Sequence, residues 1–299
     1  MKKSMFGVLG ILLILGMLLS ACQSAAAPEE PAEPQEPEAP AAVTKTKANL
    51  VHYYSGELGK KDMNTIIEQF NEQSEKCEIV DNTTGHEDFK TQILVMLAGQ
   101  NPPDVFSYWA GARVQFVVDS NALMELSDFW GDEKLGDVVS SGIQGSTQYN
   151  GGTYSIPQNF HYAGFFFNPE VMANAGVTEM PETWDEFMAV CEQIKESGVY
   201  PLALGTMNRW PGEFYFDFLV SYSAGHEYRA KLQNGEAAFD DPEMMEAMGL
   251  WNELYQKGYF YPDANAYTWT DAADQVANGE AAMTLMGTWI TGYWDANGL

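Results

Sequence analysis

Basic residues are scarce in this chain of 299 residues. It carries 15 Lys and Arg against 42 Asp and Glu, so its formal net charge at pH 7 is −27. A field of this sign repels nucleic-acid phosphates and anionic lipid headgroups, and we therefore predict no nucleic-acid partner. The same field does not exclude neutral ligands, and a strongly acidic surface is typical of a well-solvated protein.

Cysteine and histidine are also rare, with 3 and 4 residues respectively. The histidines are scattered along the chain and no Cys/His spacing is typical of a metal site, so we predict no metal. Cys77 and Cys191 fall in different predicted lobes, and we expect two small buried hydrophobic residues rather than a bridge. The chain has no P-loop, dinucleotide fingerprint or Ser/His or Cys/His motif, so we predict no cofactor.

A continuous apolar run stands near the N-terminus, from Phe6 to Leu19, after two lysines. It is shorter than the roughly 20 residues of a membrane-spanning helix, and its flanks are typical of a signal peptide. It closes with Leu19-Ser20-Ala21-Cys22, which resembles a bacterial lipobox. In such signals the chain is cleaved before the cysteine, so we predict a lipoprotein signal peptide over residues 1–22 with lipidation at Cys22. An ordinary secreted protein with a chance cysteine is the alternative.

Residues 23–46 are rich in Pro, Glu and Ala. Alternating Pro and Glu cannot bury a core and favours extended conformations. We predict that this segment is a disordered tether, which holds the folded part away from the membrane.

Strands and helices alternate after the tether. We predict a buried strand from Ala48 to Tyr54, a helix, and short strands at residues 78–81 and 104–108. The apolar face of that helix is expected to consist of Met63, Ile66, Ile67 and Phe70. This alternation predicts a mostly parallel, covered sheet, and we assign residues 47–160 to an N-terminal α/β lobe. Ligands sit beyond the carboxyl ends of such strands, which points to the loops Ser55–Glu57 and Trp109–Arg113.

The stretch from Asn150 to Gly205 is predicted to contain the connection between the two lobes. Pro157 cannot donate to a central ladder, so the chain is expected to leave one sheet there and to cross to another through Gln158–Ala163. Residues 161–299 are assigned to a C-terminal α/β lobe. The aromatic residues Phe160, Tyr162 and Phe165–Phe167 are expected to form core rather than a ligand site.

The sequence also predicts where a helix begins, near residue 183. Thr183 and Glu186 have the spacing of a capping box, and Gly198 is expected to end the helix. A strand at Pro201–Leu204 follows. Strand, helix and strand in this order predict a βαβ-like unit.

An ordered set of motifs resembles a known family. They are Pro103-Asp-Val-Phe-Ser-Tyr-Trp109, Gly151-Gly-Thr-Tyr-Ser-Ile-Pro157, Phe165-Phe-Phe-Asn-Pro-Glu170, Ala175-Gly-Val177, Pro181-Glu-Thr-Trp-Asp-Glu-Phe187 and Gly279-Glu-Ala-Ala-Met-Thr-Leu-Met-Gly-Thr-Trp289. The set is similar to the extracellular solute-binding proteins of ABC sugar importers (family 1), to which the maltose-binding protein is distantly related. The resemblance covers nearly everything after residue 47.

The resemblance implies a type II periplasmic-binding-protein-like α/β fold, with two lobes around a hinged cleft. Members of the family continue through further segments, so a second lobe that stops at Leu299 is expected to be incomplete. The implied function is that of a monomeric substrate-binding lipoprotein, which captures a mono- or oligosaccharide and delivers it to the permease subunits of an ABC transporter. The protein would be extracytoplasmic, anchored to the bacterial cell membrane through Cys22, and not an enzyme.

Exposed tryptophans suit a sugar, because the flat indole face meets the C–H face of a pyranose while polar neighbours bind the hydroxyls. By resemblance, Trp109 and Trp289 match ligand-stacking tryptophans, and Ser55, Glu57 and His161 match polar contacts. The full set of predicted substrate-binding residues is Ser55, Glu57, Trp109, Arg113, His161, Trp210, Glu213, Trp269 and Trp289.

Other functions stay open at this point. A polyamine or another small polar solute could be held in the same fold, and the acidic composition would suit a polyamine. A glycosidase that uses a carboxylate pair is the rival enzyme, although the sequence does not single out such a pair. A surface adhesin with the same fold is a third class.

Overall fold

The computed structural model describes residues 44–299, except for the side chains of Glu57 and Leu58. The predicted signal peptide, Cys22 and most of the predicted tether therefore lie outside the described residues. Three parallel strands form the first sheet, in the order β2-β1-β3. They are β1 (Thr46–His52), β2 (Cys77–Thr83) and β3 (Val105–Phe106). The parallel sheet matches the prediction, but β1 begins and ends two residues earlier than predicted.

Six helices and a hairpin accompany this sheet within the described part of the chain. The helices are α1 (Glu57–Gln73), α2 (His86–Ala98), α3 (Ala112–Asp119), α4 (Ser127–Asp132), α5 (Leu135–Val138) and α6 (Ser141–Gln144). Strands β4 (Gln148–Tyr149) and β5 (Gly152–Thr153) pair antiparallel across the Gly151 turn. We call this part of the molecule, residues 46–153, the first lobe.

The core of the first lobe is small. Val51, Phe89 and Ile93 form one buried cluster between β1 and α2. On α1 the prediction was half wrong, because Ile66 and Phe70 are 54% and 43% exposed while Met63 and Ile67 are buried. The first sheet therefore covers only part of the apolar face of α1.

An irregular segment, residues 154–162, carries the chain from the first sheet to the second. Such a crossing was predicted from Pro157. Phe160 and Tyr162 were expected to be core, which is wrong, because they are 70% and 71% exposed. Their backbone makes no ladder, and no apolar layer covers them.

The second sheet has three strands in the order β6-β8-β7. They are β6 (Ala163–Phe167), β7 (Tyr200–Ala203) and β8 (Ala281–Gly287). The chain-distant strand β8 lies between the other two, parallel to β7 and antiparallel to β6. The predicted βαβ-like unit is therefore wrong, since β6 and β7 are not neighbours and run in opposite directions.

Six helices surround the second sheet. They are α7 (Pro169–Asn174), α8 (Trp184–Glu196), α9 (Pro211–Gln233), α10 (Pro242–Gln256), α11 (Trp269–Ala277) and α12 (Trp289–Asn297). The predicted capping box is confirmed at the start of α8, where Thr183 and Glu186 each bind the other's backbone N–H. α9 is interrupted at Gly225, whose φ is 83°. We call residues 163–297 the second lobe.

The second lobe has a large core. All seven residues of β8 are buried, and three of them, Ala282, Met283 and Leu285, share one cluster with residues of α8, α9 and α10. Cys191 lies in this core as a free thiol, and Cys77 is also free and half-buried. Gly205 permits a close main-chain approach, because a Cβ there would overlap the carbonyl of Thr268. Within residues 44–299, no helix combines the length and apolar character that crossing a membrane requires.

Candidate functional site

The candidate site lies where the facing edges of the two sheets meet. The parallel strands β1, β2 and β3 all end at one edge of the first sheet, and the residues that follow them carry Tyr53, His86 and Trp109. In the second sheet, β8 ends just before Trp289, and β6 begins just after His161. Because β6 and β8 are antiparallel, the start of β6 lies beside the end of β8. Topology therefore brings side chains that are distant in sequence to one place.

A stacked pair of rings forms the first-lobe side of the site. Tyr53 stacks on Trp109 with centroids 4.5 Å apart and an interplanar angle of 14°. Phe89 meets both rings edge-on, at 5.3 and 5.7 Å. Burial raises the pKa of the Tyr53 hydroxyl, so it stays protonated at neutral pH. One face of the half-buried Trp109 indole is thus occupied by Tyr53.

Two cations lie against the same indole. The guanidinium of Arg113, in the first turn of α3, is 5.4 Å from the Trp109 ring centroid. The ammonium of Lys90 is 6.0 Å from Trp109 and 5.9 Å from Trp210, so it lies between the two indoles. Contacts at these distances are cation–π contacts. A sugar ring could therefore stack on the Trp109 indole only beside the side chains of Arg113 and Lys90, which already contact it.

Glu87, in the first turn of α2, connects the polar groups of this edge. It accepts from Lys90 Nζ at 2.9 Å, and His86 Nδ1 lies 2.9 Å from its Oε1. Burial opposes ionisation of Glu87, but the hydrogen bonds from Lys90 and His86 prevail and lower its pKa. Burial lowers the pKa of His86, and the nearby charges of Lys90 and Arg113 lower it further. The hydrogen bond to Glu87 raises this pKa, but it does not outweigh burial. His86 is therefore neutral at pH 7, and Glu87 is ionised.

A buried histidine fixes the strand ends beneath this edge. His52 is fully buried, and its Nε2 lies 2.8 Å from Asp81 Oδ1. The backbone N–H of Tyr54 donates to His52 Nδ1 at 3.2 Å, so Nδ1 is an acceptor and the proton belongs on Nε2. This tautomer ties β1 to β2 just before Tyr53.

Tryptophans dominate the second-lobe side. Trp289 opens α12, and its ring lies over Gly287, where a Cβ would overlap the indole. Trp210 is 5.8 Å from Trp289 and 6.4 Å from Trp269, centroid to centroid. All three indoles are half-buried and pack on a small cluster that includes Met286. Trp269 and Trp289 are the first residues of helices α11 and α12.

His161 joins the crossing segment to the second sheet. It is exposed, with Nδ1 2.8 Å from Thr288 Oγ1, and its ring meets Trp289 edge-on at 5.2 Å. Partial burial lowers the pKa of His161, so its ring is neutral at pH 7. A neutral imidazole beside an indole can donate or accept one hydrogen bond from a bound hydroxyl.

The two lobes touch directly at this edge. Trp210 Nε1 donates to Glu87 Oε1 at 3.2 Å, and the rings of Trp210 and His86 are 6.2 Å apart. At the crossing, Asn159 Nδ2 donates to the Tyr54 hydroxyl at 3.2 Å. The rings and charges of both lobes therefore form one continuous belt, which runs from Tyr53 through Trp210 to Trp289.

The other three predicted substrate-binding residues, Ser55, Glu57 and Glu213, have no described side-chain contact with the belt. Ser55 is exposed after β1, and its backbone N–H donates to the carbonyl of Tyr53. Glu57 begins α1, and its side chain lies outside the described part. Glu213 is exposed in the first turn of α9, three residues after Trp210. The structure thus brings Trp109, Arg113, Trp210, Trp269, Trp289 and His161 together, and it leaves Ser55 and Glu213 without a side-chain partner among the described residues.

Sequence reasoning missed Tyr53, His86, Glu87 and Lys90. The rule that ligands sit beyond strand ends was applied to β1 and β3 but not to β2. For β2, the rule indicates the start of α2, which begins three residues after Thr83. Within residues 44–299, no three His, Cys, Asp or Glu side chains group in a way that could hold a metal ion.

Comparison with known proteins decides the family. The model of the bacterial extracellular solute-binding protein family matches residues 56–299. The chain belongs to this family. An ABC transporter extracellular-binding protein of Pyrococcus horikoshii is 35% identical to this solute-binding protein over 206 residues, which are 68% of this chain and 46% of the relative. A probable sugar-binding periplasmic protein of Mesorhizobium japonicum is 29% identical over 209 residues, covering 69% and 49%.

The fold agrees with the family. A solved structure from a study of xylan utilization by the thermophilic bacterium Caldanaerobius polysaccharolyticus has a TM-score of 0.77 at 27% identity, covering 82% of this chain and 62% of that one. The expected type II periplasmic-binding-protein-like fold is confirmed. This solute-binding protein spans about half the length of the two curated relatives.

Proposed function

We propose that this solute-binding protein captures a mono- or oligosaccharide between its two lobes and delivers it unchanged to the permease of an ABC transporter. The observation that carries the proposal is the belt of indoles and polar side chains at the facing sheet edges. Trp109 and Trp289 stand on opposite lobes, so a sugar held between them would contact both. The relative in Mesorhizobium japonicum is described as a probable sugar-binding protein, and the Caldanaerobius structure comes from work on xylan, which supports a saccharide.

Binding would require the two lobes to separate and close again. The Trp210–Glu87 hydrogen bond and the Lys90 contacts join the lobes, so a guest has to replace them with its own hydroxyls. A ligand shifts such an equilibrium only by its differential affinity for the two states. A sugar that touches both lobes has that difference, whereas a ligand of one lobe does not.

The cellular setting is part of the same proposal. A lipid anchor at Cys22, a tether over residues 23–46, two lobes at residues 47–160 and 161–299, an extracytoplasmic location and a monomeric state are consistent with the lipobox-like sequence and with the family. Labelled palmitate incorporated into the wild type but not into a Cys22→Ser variant would support the anchor. Equal labelling of both would remove it.

The saccharide proposal is tested by tryptophan fluorescence and calorimetry against a panel of mono- and oligosaccharides. We expect saturable binding without turnover, and Trp289→Ala should weaken it by about tenfold or more, as loss of a central tryptophan does in well-packed interfaces. Trp130→Ala is the matched control, because that half-buried indole lies in α4 and donates to the Ser155 carbonyl away from the belt. Equal affinity of the two variants would remove the stacking role of Trp289.

The alternatives give different results in the same assay. The charge of Arg113 at the belt, unpaired among the described side chains, disfavours a polyamine, because a polycationic ligand would be repelled by it. Binding of spermidine but of no sugar would nevertheless overturn the saccharide proposal. Released reducing ends would indicate a glycosidase, and a flat response to every compound would favour an adhesin.

A further inference from the structure

Two cations, Lys90 and Arg113, lie against the belt indoles, although the chain as a whole is strongly acidic. The chain contains three arginines. Arg113 lies over the Trp109 ring, and Arg209 is an exposed residue that precedes Trp210 in the sequence. The third, Arg229, is paired with Asp217 through Nε at 2.9 Å and Nη2 at 2.5 Å. Of these three arginines, Arg113 is the one whose guanidinium lies against a belt indole.

Lys90 and Arg113 differ in their partners. Lys90 is neutralised locally, because Glu87 accepts two hydrogen bonds from its ammonium at 2.9 and 3.0 Å. Arg113 is exposed, and among the described side chains no carboxylate lies within 4.0 Å of it. The Trp109 ring holds its guanidinium in place, and its charge helps to lower the pKa of His86 across the same edge. Arg113 is therefore a cation held at the belt without an anionic partner among the described side chains.

The chemistry of a guanidinium indicates which anion fits. Its planar fork pairs with a carboxylate through two parallel N–H···O bonds, and such charge-assisted bonds are about twice as strong as neutral ones. The net charge of −27 repels an anionic solute at long range, so capture of one requires local cations of this kind. A neutral sugar would need no such group.

We infer that the saccharide bound by this protein carries a carboxylate, as a uronic acid residue does, and that the carboxylate pairs with Arg113 while the sugar ring lies against the neighbouring indoles. The inference rests on the proposed function and specifies its ligand class. Arg113 then acts as the residue that determines specificity for the acid.

The test compares matched acid and neutral sugars by calorimetry at pH 7. The pairs are D-glucuronate with D-glucose, D-galacturonate with D-galactose, and an oligogalacturonide with a neutral galacto-oligosaccharide of equal length. We expect the acid of at least one pair to bind about 10- to 100-fold tighter, which is the range for a hydrogen-bonded ion pair. Glucose 6-phosphate is a further arm, because the fork also accepts phosphate.

Variants then assign the preference. Arg113→Gln should reduce the acid-to-neutral affinity ratio to about threefold or less, and Arg113→Lys should give an intermediate ratio because it keeps the charge but loses the fork. Lys76→Gln is the matched control, because it removes one exposed cation at the opposite end of the first sheet and should preserve the ratio. Far-UV circular dichroism and melting temperature confirm that each variant is folded.

The outcomes separate the inference from the proposed function. Binding of neutral sugars with no tighter binding of acids would overturn the inference and leave the saccharide proposal standing. Tighter binding of glucose 6-phosphate than of any uronate would overturn the carboxylate assignment. An acid preference that survives in Arg113→Gln would overturn the role of Arg113, and binding of no saccharide at all would overturn both proposals.

Discussion

The two lobes have sheets of equal size but very different interiors. In the second lobe, β8 is buried along its whole length and supports a single large cluster that reaches across α8, α9 and α10. In the first lobe, the cluster around the sheet has three buried members, and several large apolar side chains on its helices are exposed. They include Ile66, Leu94, Val95 and Phe116.

This difference assigns separate tasks to the two lobes. Buried apolar area is the main source of stability, so the second lobe should hold most of the free energy of folding. The first lobe instead supplies the charged groups of the site, namely Glu87, Lys90 and Arg113, from elements that are less deeply packed. Local opening of a protein starts in its less well-packed elements, so α1 and α2 should open before α8 and α10.

The largest expected effect concerns the core of the second lobe. Leu254→Ala, in α10, should lower the free energy of unfolding by about 3 kcal/mol, because it removes a fully buried side chain and leaves a cavity. Leu94→Ala, in α2, is the matched change in the first lobe and should cost less than about 1 kcal/mol, since Leu94 is exposed. Urea denaturation followed by circular dichroism measures both. Similar losses would contradict the unequal division of stability.

A smaller effect is expected at the buried polar pair of the first lobe. His52→Leu removes the bond to Asp81 and should cost about 1–3 kcal/mol. The loss should be confined to the first lobe, so hydrogen exchange should accelerate in β1 and β2 and remain slow in β8. Asp81→Asn keeps an acceptor for His52 Nε2 and should cost less. Equal acceleration in both sheets would show that the lobes do not open separately.

The smallest effect is a dependence on pH that arises in the first lobe. His86 has a folded-state pKa below its usual value, mainly through burial. Below about pH 6.5 the unfolded chain therefore binds more protons than the folded one, so stability falls as the pH is lowered from 7 towards 5. The shift in melting temperature should be at most roughly 2 °C because His86 is partly exposed and screened. A His86→Gln variant should lose part of this slope, and an unchanged slope would assign it to other groups, such as His161.

The sequence predicted local structure well where the signal was local. The capping box at Thr183 and Glu186, the crossing after Pro157 and the end of α8 just before Gly198 each depend on residues close in sequence. The antiparallel direction of β6 was not predicted, because its partner β8 lies more than 100 residues further along the chain. Exposure of Phe160 and Tyr162 was missed for a similar reason, since burial depends on what other segments cover.

The candidate site was predicted in part. Family motifs led to Trp109 and Trp289, whose residue types suit sugar contacts, and they stay predictions about ligand binding. The contact of Trp210 with Glu87 joins positions 123 residues apart, and no spacing in the sequence indicates it. His86, Glu87 and Lys90 join the belt because α2 begins directly after the carboxyl end of β2, and this depends on how the strands are arranged in the sheet.

The absent side chain at Gly205 has a mechanical consequence. Because the main chain after β7 lies directly against the carbonyl of Thr268, the segments that lead to Trp210 and Trp269 share one stiff base. These two indoles should keep their mutual spacing whenever the lobes swing apart. The space between the lobes would then widen as Trp210 and Trp269 move together as one rigid unit, without a change in their relative positions.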